Sequence, residues 1–254
     1  MTDPAPKLER GRWCGRLTRR PLPEHDPEIE QLSASRRAAL AELWLARAAS
    51  ERRVADAFAV VTSDLASLEA PPELIALARR AVDDEHRHAE LARLVASRYA
   101  GHELEPPPLL PLVVPEHAGA SPRLAWTLHV VGHAAMNETF ASAYLEASLA
   151  LTRAPLARAA VQALLSDEID HARIGWAHLA SLRDTERREI TPWLPSLLAS
   201  NLAMWRAMPR PTLAGDDSSR HGVLSAAGVE RALDTAVRDL VLPGLARFGL
   251  QPRP

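Results

Sequence analysis

Apolar residues recur every three to four positions along four long segments of this chain, which is the spacing of an amphipathic helix. Residues that favour helix ends stand at the borders of these segments. Pro72 and Pro155 occupy first-turn positions, Ser121 precedes Pro122 as an N-cap, and Gly101 follows a helical segment as a stop signal. Weaker helical patterns follow near residues 193–208 and 225–248, and no segment alternates as a strand does. The chain is therefore predicted to be all-α, with long helices over 33–68, 72–99, 121–152 and 155–182.

The lengths of the connections between these helices follow the order short, long, short. The long connection is E-L-E-P-P-P-L-L-P-L-V-V-P-E-H-A-G-A-S-P, which is too rich in proline to be helical. Its twenty residues can span roughly 66 Å, more than the length of about 45 Å of a thirty-residue helix. Two helical hairpins joined by one long crossover are the ferritin-like form of a four-helix bundle. The predicted organisation is an irregular N-terminal arm (1–32), this bundle (33–182) and a C-terminal helical extension packed on it (183–254).

Composition narrows the function classes. The net charge of −2 provides no basic field for nucleic acid or an anionic membrane. Cys14 is the only cysteine, so disulfides and multi-cysteine zinc sites within the chain are excluded. The N-terminus lacks a signal-like apolar stretch and no run of 18 apolar residues occurs, so we expect a cytoplasmic protein without a membrane span. Cys14 lies in a basic stretch and is interpreted as a surface thiol.

A repeated motif carries the chemistry of this sequence. Glu85 stands 13 residues after Pro72, and Glu168 stands 13 residues after Pro155. Each glutamate begins a Glu-x-x-His pair, with His88 and His171 three residues later. Positions i and i+3 share one face of a helix, so each pair presents a carboxylate and an imidazole in the same direction.

The repeat predicts a further carboxylate on each of the other two helices. Glu138 lies 30 residues before Glu168 and is the candidate in the third helix. In the first helix Glu51, 34 residues before Glu85, competes with Asp56, which lies 29 residues before it. We favour Glu51, because the longer side chain bridges two metal ions across a bundle more easily.

Four carboxylates and two imidazoles in a helix-bundle core require compensation, because a buried unpaired carboxylate costs several kcal/mol. Two divalent cations would balance the four negative charges, and oxygen and nitrogen ligands suit iron or manganese. The alternative is that these acids form an ordinary solvated helix face. We predict a dinuclear site with two Fe ions, Fe/Mn and Mn/Mn remaining open, and the ligand set Glu51, Glu85, His88, Glu138, Glu168 and His171.

At this motif the chain resembles the ferritin-like diiron-carboxylate superfamily, which includes rubrerythrins, bacterioferritins and diiron oxygenases. Residues 84–88, D-E-H-R-H, resemble the D-E-x-R-H form common among oxygen-activating members. Residues 167–171, D-E-I-D-H, depart from it, with Asp170 in place of the arginine. The resemblance implies that Asp84 and Asp167 each accept the outer N–H of a ligand histidine on the facing helix, which would orient the imidazole.

A stripe of small residues suggests a cavity beside the predicted site. In the ferritin-like topology Ala55, Ala81, Ala134 and Gly175 would lie about one turn from the metal ions, although a chain so rich in alanine offers such stripes by chance. His178 could line the mouth of this cavity, or pack as an ordinary buried histidine. His129 and His133, at i and i+4, form a candidate second metal pair, but they are predicted to point away from Glu138.

Three functions are compatible with this sequence. The first is a dinuclear-iron oxidase or oxygenase that uses O₂ to oxidise a small organic substrate, with electrons from an external reductase. The second is a ferroxidase, peroxidase or iron-storage protein. The third is a non-catalytic helical scaffold with a structural metal site. A homodimer is compatible with the sequence.

Overall fold

The computed structural model of the protein describes residues 22–208 and 217–251. Cys14 and most of the predicted N-terminal arm lie outside these residues. All regular secondary structure in the described part is helical, with no strand. None of its helices is both long and apolar enough to cross a bilayer. The α-helices are α1 (Pro27–Glu30), α2 (Ala34–Ser67), α3 (Pro72–Ala100), α4 (Pro122–Val130), α5 (Glu138–Leu151), α6 (Pro155–Ser181), α7 (Asp184–Ile190), α8 (Leu194–Arg206), α9 (Asp217–Arg220), α10 (Ala226–Thr235) and α11 (Leu242–Arg247).

The long helices begin and end at the residues that the sequence indicates. The Ser33 side chain accepts a hydrogen bond from the backbone of Arg36 at the start of α2, and Ser121 does the same for Leu124 at the start of α4. Gly101 ends α3 with φ of 79°, a left-handed conformation that glycine adopts without strain. These caps satisfy backbone groups that the first and last helical turns leave without partners.

The third long helix is interrupted, which the sequence did not predict. Between α4 and α5 the backbone adopts a π-helical conformation over Val131–Asn137. A second π-helical segment, Ala236–Val241, joins α10 to α11. A π turn contains an additional residue, so it rotates everything that follows it relative to a regular α-helix.

Several short helices were not predicted from the hydrophobic periodicity. One turn of helix, α1, lies in the segment that was expected to be irregular, and α7 and α9 lie between the patterns seen after residue 182. Helices of one or two turns contain too few residues to display a period. Asp26 nevertheless provides a local signal at α1, because its side chain accepts a hydrogen bond from Glu28 and precedes Pro27.

Helices that are adjacent in the chain pack along each other. The α2 helix lies along α3, and α5 lies along α6, while α3 contacts α6 and α2 contacts α4. The crossover between Gly101 and Ser121 is not helical. Arg52 on α2 donates a hydrogen bond to the carbonyl of Pro107, which holds the crossover against the helices. Side chains from α2, α3, α5 and α6 can therefore meet in one interior.

Two apolar clusters separate this interior from solvent. The larger cluster contains Trp44, Tyr99 and Phe140, all fully buried, and extends to the C-terminal helices through Leu233 and Leu245. A smaller cluster is formed by residues of α2, α3, α4, the first π segment and α6, and includes Phe58, Val61, Leu65, Ala81, Val130 and Ile174. Burial of this apolar surface is the main driving force for folding.

Candidate metal centre

The two Glu-x-x-His pairs face each other across the interface of α3 and α6. Glu85 and His88 are fully buried on α3, and Glu168 and His171 are 3% and 1% exposed on α6. Within each pair the Nδ1 atom of the histidine lies 3.3 Å from Oε2 of its own glutamate. Across the interface, Nδ1 of His171 lies 2.9 Å from Glu85 Oε1, and Nδ1 of His88 lies 3.4 Å from Glu168 Oε1. The two halves are thus arranged almost symmetrically.

Glu138, the first residue of α5, joins the same cluster and is 1% exposed. One ligand atom from each of Glu85, Glu138, Glu168 and His171 lies within 4.8 Å of the others, so this buried group could hold a metal ion. Glu85 Oε1 is buried and has no hydrogen-bond partner among the described residues, although Nδ1 of His171 lies 2.9 Å away. A buried oxygen without a partner is costly, and a cation would satisfy it. The donor set therefore fits a metal ion.

Of the two candidate acids on α2, Glu51 is the one that lies near the cluster. Glu51 lies close enough to Glu85 and Glu168 that their negative charges, together with burial as the largest cause, raise its pKa to about 8. Asp56 is exposed on the outer side of α2. Burial also raises the pKa of Glu138. Repulsion among these carboxylates is what a bound cation would relieve.

The outer nitrogen of each histidine contacts an aspartate of the opposite helix. Nε2 of His88 lies 3.1 Å from Asp167 Oδ2, and Nε2 of His171 lies 3.4 Å from Asp84 Oδ2. These are the contacts that the sequence resemblance implied. Each aspartate can accept the Nε2 proton and thereby leave Nδ1 as the free nitrogen that faces the cluster.

Arg87 links these two aspartates, a role that the sequence analysis did not assign. Its Nη2 atom donates to Asp84 Oδ1 at 2.7 Å and to Asp167 Oδ2 at 2.8 Å. Hydrogen bonds from histidine and arginine hold the pKa of Asp167 at about 2, although burial opposes this shift. The signal was present in the sequence, because the arginine of the D-E-x-R-H stretch stands three residues after Asp84.

The π segment overturns the prediction for His133. Five residues of regular α-helix would separate His133 and Glu138 by about 140° around the axis. Instead the Glu138 backbone N–H bonds to the carbonyl of His133, as in a π turn, which brings the two residues onto one face. Nε2 of His133 lies 3.6 Å from Glu138 Oε1 and has no hydrogen-bond partner among the described residues. Burial lowers the pKa of His133 to about 4, so its imidazole is neutral.

His129 contacts neighbouring segments and is not paired with His133. Nδ1 of His129 lies 2.8 Å from Asp64 Oδ2, and its Nε2 lies 2.9 Å from the carbonyl oxygen of Pro115. Both acceptors require a proton from the imidazole, and the hydrogen bond with Asp64 raises its pKa. His129 therefore fastens the crossover to α2 and is separated in function from His133.

Gly175, one of the small residues predicted to line a cavity, is closely packed instead. A Cβ atom on Gly175 would lie 2.5 Å from the carbonyl carbon of Ala134 and 2.6 Å from Cα of Ala135. Gly175 therefore allows α6 to touch the backbone of the π segment and leaves no space. Ala55, Ala81 and Ala134 are fully buried residues of the packed interior.

A cavity does border the cluster, but its lining does not include these small residues. It has a volume of about 110 Å³ and is lined by residues of α2, the π segment, α5, α6 and α8, among them Arg47, Glu51, Asn137, Glu138, Tyr144 and Glu168. Neither Tyr144 nor Arg47 was recognised from the sequence as part of the site. A larger apolar cavity of about 350 Å³ lies beneath the crossover and shares Ala57, Leu112, His133 and Met204 with the first.

His178 is a buried histidine and lines neither of these two cavities. It is 2% exposed, and neither ring nitrogen has a hydrogen-bond partner among the described residues. Burial lowers its pKa from 6.5 to about 4. Between these values an unfolded chain binds the proton and the folded protein does not, so the free energy of unfolding decreases as the pH falls through this range.

Replacement of His178 by leucine is expected to remove this acid sensitivity. At pH 5 the buried neutral imidazole costs about 2 kcal/mol of stability relative to a group that does not titrate. Urea unfolding at pH 5 and pH 7 would measure the difference, with the exposed His102→Leu as a matched control. A His178→Leu protein that retained the full pH dependence would contradict the assignment.

Comparison with known proteins adds no relative: no protein-family model, curated protein or solved structure matches this chain. The feature that bears on function is the site itself. Its principal feature is a buried cluster of glutamate and histidine side chains that could hold a metal ion, in an all-helical protein, which is compatible with a ferritin-like site.

Proposed function

We propose that this protein is a non-haem dinuclear-iron oxidase or oxygenase that uses O₂ to oxidise a small organic substrate. The observation that carries the proposal is the position of the buried glutamate and histidine cluster directly beside a cavity. Glu51, Glu138 and Glu168 belong to both. A site that only stored or oxidised iron would need no space for an organic molecule, so the cavity favours this function over iron storage.

The fold that we propose is the ferritin-like four-helix bundle. Its first hairpin would be α2 with α3, and its second would be the helix interrupted at Val131–Asn137 with α6. The pairwise packing of these helices and the long crossover between them support this topology. The symmetric Glu-x-x-His halves on α3 and α6 support it as well, because each half places its ligands at the same height of the bundle.

Six side chains would hold two iron ions, namely Glu51, Glu85, His88, Glu138, Glu168 and His171. Two ferrous ions would bring four positive charges to the four carboxylates, which removes the electrostatic cost of burying them together. The bound iron would supply the binding and reductive activation of O₂, with electrons from an external reductase. Oxygen and nitrogen donors also suit manganese, so the ligands alone do not select Fe/Fe over Fe/Mn.

The remaining residues prepare the site for this chemistry. Asp84 and Asp167 hold the Nε2 protons of the two histidines, so that each Nδ1 atom offers its lone pair to a metal ion. Arg87 fixes both aspartates and balances part of their charge. The buried Phe58 ring contacts the rings of His133 and His171 edge-on, with ring centres 4.9 and 5.2 Å away, and provides an apolar wall beside them. Preorganisation of this kind keeps ligands in place while the charge of the metal changes.

Metal stoichiometry tests the proposal. The wild-type protein, loaded anaerobically with Fe(II) and freed of excess metal, is expected to contain about two iron ions per chain. The double variant Glu85→Ala/Glu168→Ala is expected to lose them, because it removes one carboxylate from each half of the site. Plasma emission would measure the iron, and absorbance with an oxygen electrode would follow the reaction with O₂.

A matched control is the double variant Glu73→Ala/Glu146→Ala, which removes two exposed glutamates from α3 and α5. It should bind iron and consume O₂ as the wild type does. Wild-type protein without tightly bound metal, or iron retained by Glu85→Ala/Glu168→Ala, would refute the dinuclear site. Two bound irons that do not react with O₂ would support a structural metal site instead.

A further inference from the structure

The side chain of Arg47 is held in an unusual environment in the cavity beside the cluster. Its guanidinium lies over two aromatic rings, 5.0 Å from the centre of Trp44 and 5.2 Å from that of Tyr144. Its Nη1 atom is buried and has no hydrogen-bond partner among the described residues. The aromatic rings attract the positive charge through their faces, but they do not accept the in-plane N–H groups. A buried charged donor is thus left without an acceptor from the part of the chain that the structure describes.

Arg47 lies on the same cavity as the proposed metal ligands. It stands one helical turn before Glu51 on α2, and both residues line this space. The nearby amide of Asn137 is already used on both sides, because its Nδ2 donates to Glu138 Oε1 and its Oδ1 accepts from Trp205 Nε1. Among the described residues that line this cavity, Arg47 Nη1 and His133 Nε2 are the buried side-chain nitrogens without a hydrogen-bond partner, and only the Arg47 atom belongs to a permanently charged donor.

The rest of the cavity wall is largely apolar. Val54, Ala57, Leu112, Ala141, Leu145 and Met204 line it between the charged groups. A ligand that fits must pair an acceptor of negative charge for Arg47 with an apolar body for this wall. A carboxylate meets the first requirement, since it accepts hydrogen bonds from a guanidinium in its own plane.

We propose that the cavity binds a small organic carboxylate, with the carboxylate hydrogen-bonded to Arg47 and the apolar body directed toward the metal centre. This assignment of a substrate class rests on the proposed oxidase or oxygenase function. The cation–π contacts with Trp44 and Tyr144 fix the guanidinium before the ligand arrives, which lowers the entropic cost of binding. Arg47 would thus select acids over neutral compounds of the same shape.

Isothermal titration calorimetry of the anaerobic Fe(II)-loaded protein with benzoate and with hexanoate tests this proposal. Benzamide, a neutral compound of nearly the same shape as benzoate, is the ligand control. We expect wild-type protein to bind at least one of the two acids, and to bind benzamide roughly tenfold more weakly than benzoate if benzoate is that acid. Arg47→Met should weaken binding of the acid by about tenfold or more, and Arg47→Lys, which keeps the charge without the planar donors, by less.

Arg79→Met, which removes an exposed arginine from α3, is the matched protein control and should leave the affinities unchanged. Arg53→Met separates the second arginine of the cavity lining from Arg47. If neither acid binds, or if Arg47→Met binds the acid as the wild type does, the proposal is wrong. Equal affinity in Arg47→Met would mean that the metal ions or Arg53 hold the carboxylate. Urea unfolding of each variant would show that it is folded.

The iron content of the same samples separates the two proposals. If iron binds and reacts with O₂ but acid binding does not depend on Arg47, the proposed substrate class is wrong and the proposed oxidase function stands. If acid binding depends on Arg47 but the wild-type protein holds no iron, the proposed oxidase function is wrong and the carboxylate site is supported.

Discussion

Gly175→Ala is expected to lower the free energy of unfolding by about 3 kcal/mol, the upper range for overpacking a core. Inside a regular, uncrowded helix the same change stabilises a protein by about 1 kcal/mol, because alanine is the better helix former. Here the added Cβ would overlap the backbone of Ala134 and Ala135, which cannot rotate out of the way as a side chain does. The α6 helix and the π segment would have to move apart.

Urea unfolding monitored by circular dichroism would measure this loss. Gly132→Ala is the matched control in the same π segment, because its Cβ would meet the flexible end of Leu197 at 3.3 Å. It should change stability by less than about 1 kcal/mol. The separation of α6 from the π segment would also displace Glu168 from Glu138, so Gly175→Ala should bind iron more weakly. A Gly175→Ala protein as stable as the wild type would show that the two backbones do not approach as described.

Glu51→Gln is expected to stabilise the metal-free protein while it weakens metal binding. In an unfolded chain Glu51 loses its proton near pH 4.5, whereas in the folded, metal-free protein its pKa is about 8. The folded state therefore binds more protons between these values, and its stability decreases as the pH rises through them. The cost of Glu51 grows from about 1 kcal/mol at pH 5 to roughly 3 kcal/mol at pH 7. Glutamine has nearly the same shape and does not titrate, so it removes this cost.

Chelator-treated wild type and Glu51→Gln would be compared by urea unfolding at pH 5 and pH 7, and their iron content would be measured after loading. Asp56→Asn is the matched control, since Asp56 is an exposed acid of the same helix. It should change neither stability nor iron binding. Loss of iron in Asp56→Asn but not in Glu51→Gln would reverse the ligand assignment on α2. Equal or lower stability of metal-free Glu51→Gln at pH 7 would contradict the raised pKa.

The opposite signs of these effects follow from the function that we propose. Burial and neighbouring carboxylates raise the pKa of Glu51 and of Glu138 in the metal-free protein, so these two acids weaken it at neutral pH. Gly175, in contrast, contributes only to packing. The stability of the metal-free protein thus separates Glu51 from Gly175, because removal of the Glu51 carboxylate raises it and Gly175→Ala lowers it.

Helix ends and the repeated motif could be read from the sequence because both depend on neighbours in the chain. Ser33, Ser121 and Gly101 cap helices through contacts that span only a few residues. Glu-x-x-His likewise shares a helix face at any position of any helix, so the facing of Glu85 with His88 needed no tertiary information. The choice between Glu51 and Asp56 on α2 could not be made from the sequence, since a helical period alone does not show which of two faces is buried.

The π segment, in contrast, could not be predicted from local sequence spacing. A single additional residue in a turn rotates the residues after it around the helix axis relative to the residues before it. Val131–Asn137 contains no proline or other local signal that would predict this rotation. The prediction that His133 points away from Glu138 therefore failed, although the spacing was read correctly. Gly175 failed for a related reason, because a glycine in a helix accompanies close packing and open space alike, and only the position of the neighbouring backbone distinguishes them.

The sequence by itself determined the all-helical class, the borders of the long helices and the two Glu-x-x-His pairs, since each of these depends on local spacing and capping. Only the tertiary structure decided that Glu51 and not Asp56 faces the cluster, that His133 joins Glu138, and that the cavity lies beside Arg47 and Tyr144. These features depend on which helix faces meet in space. Contacts between residues far apart in the chain determine which helix faces pack together, and the periodic pattern along one helix does not predict these contacts.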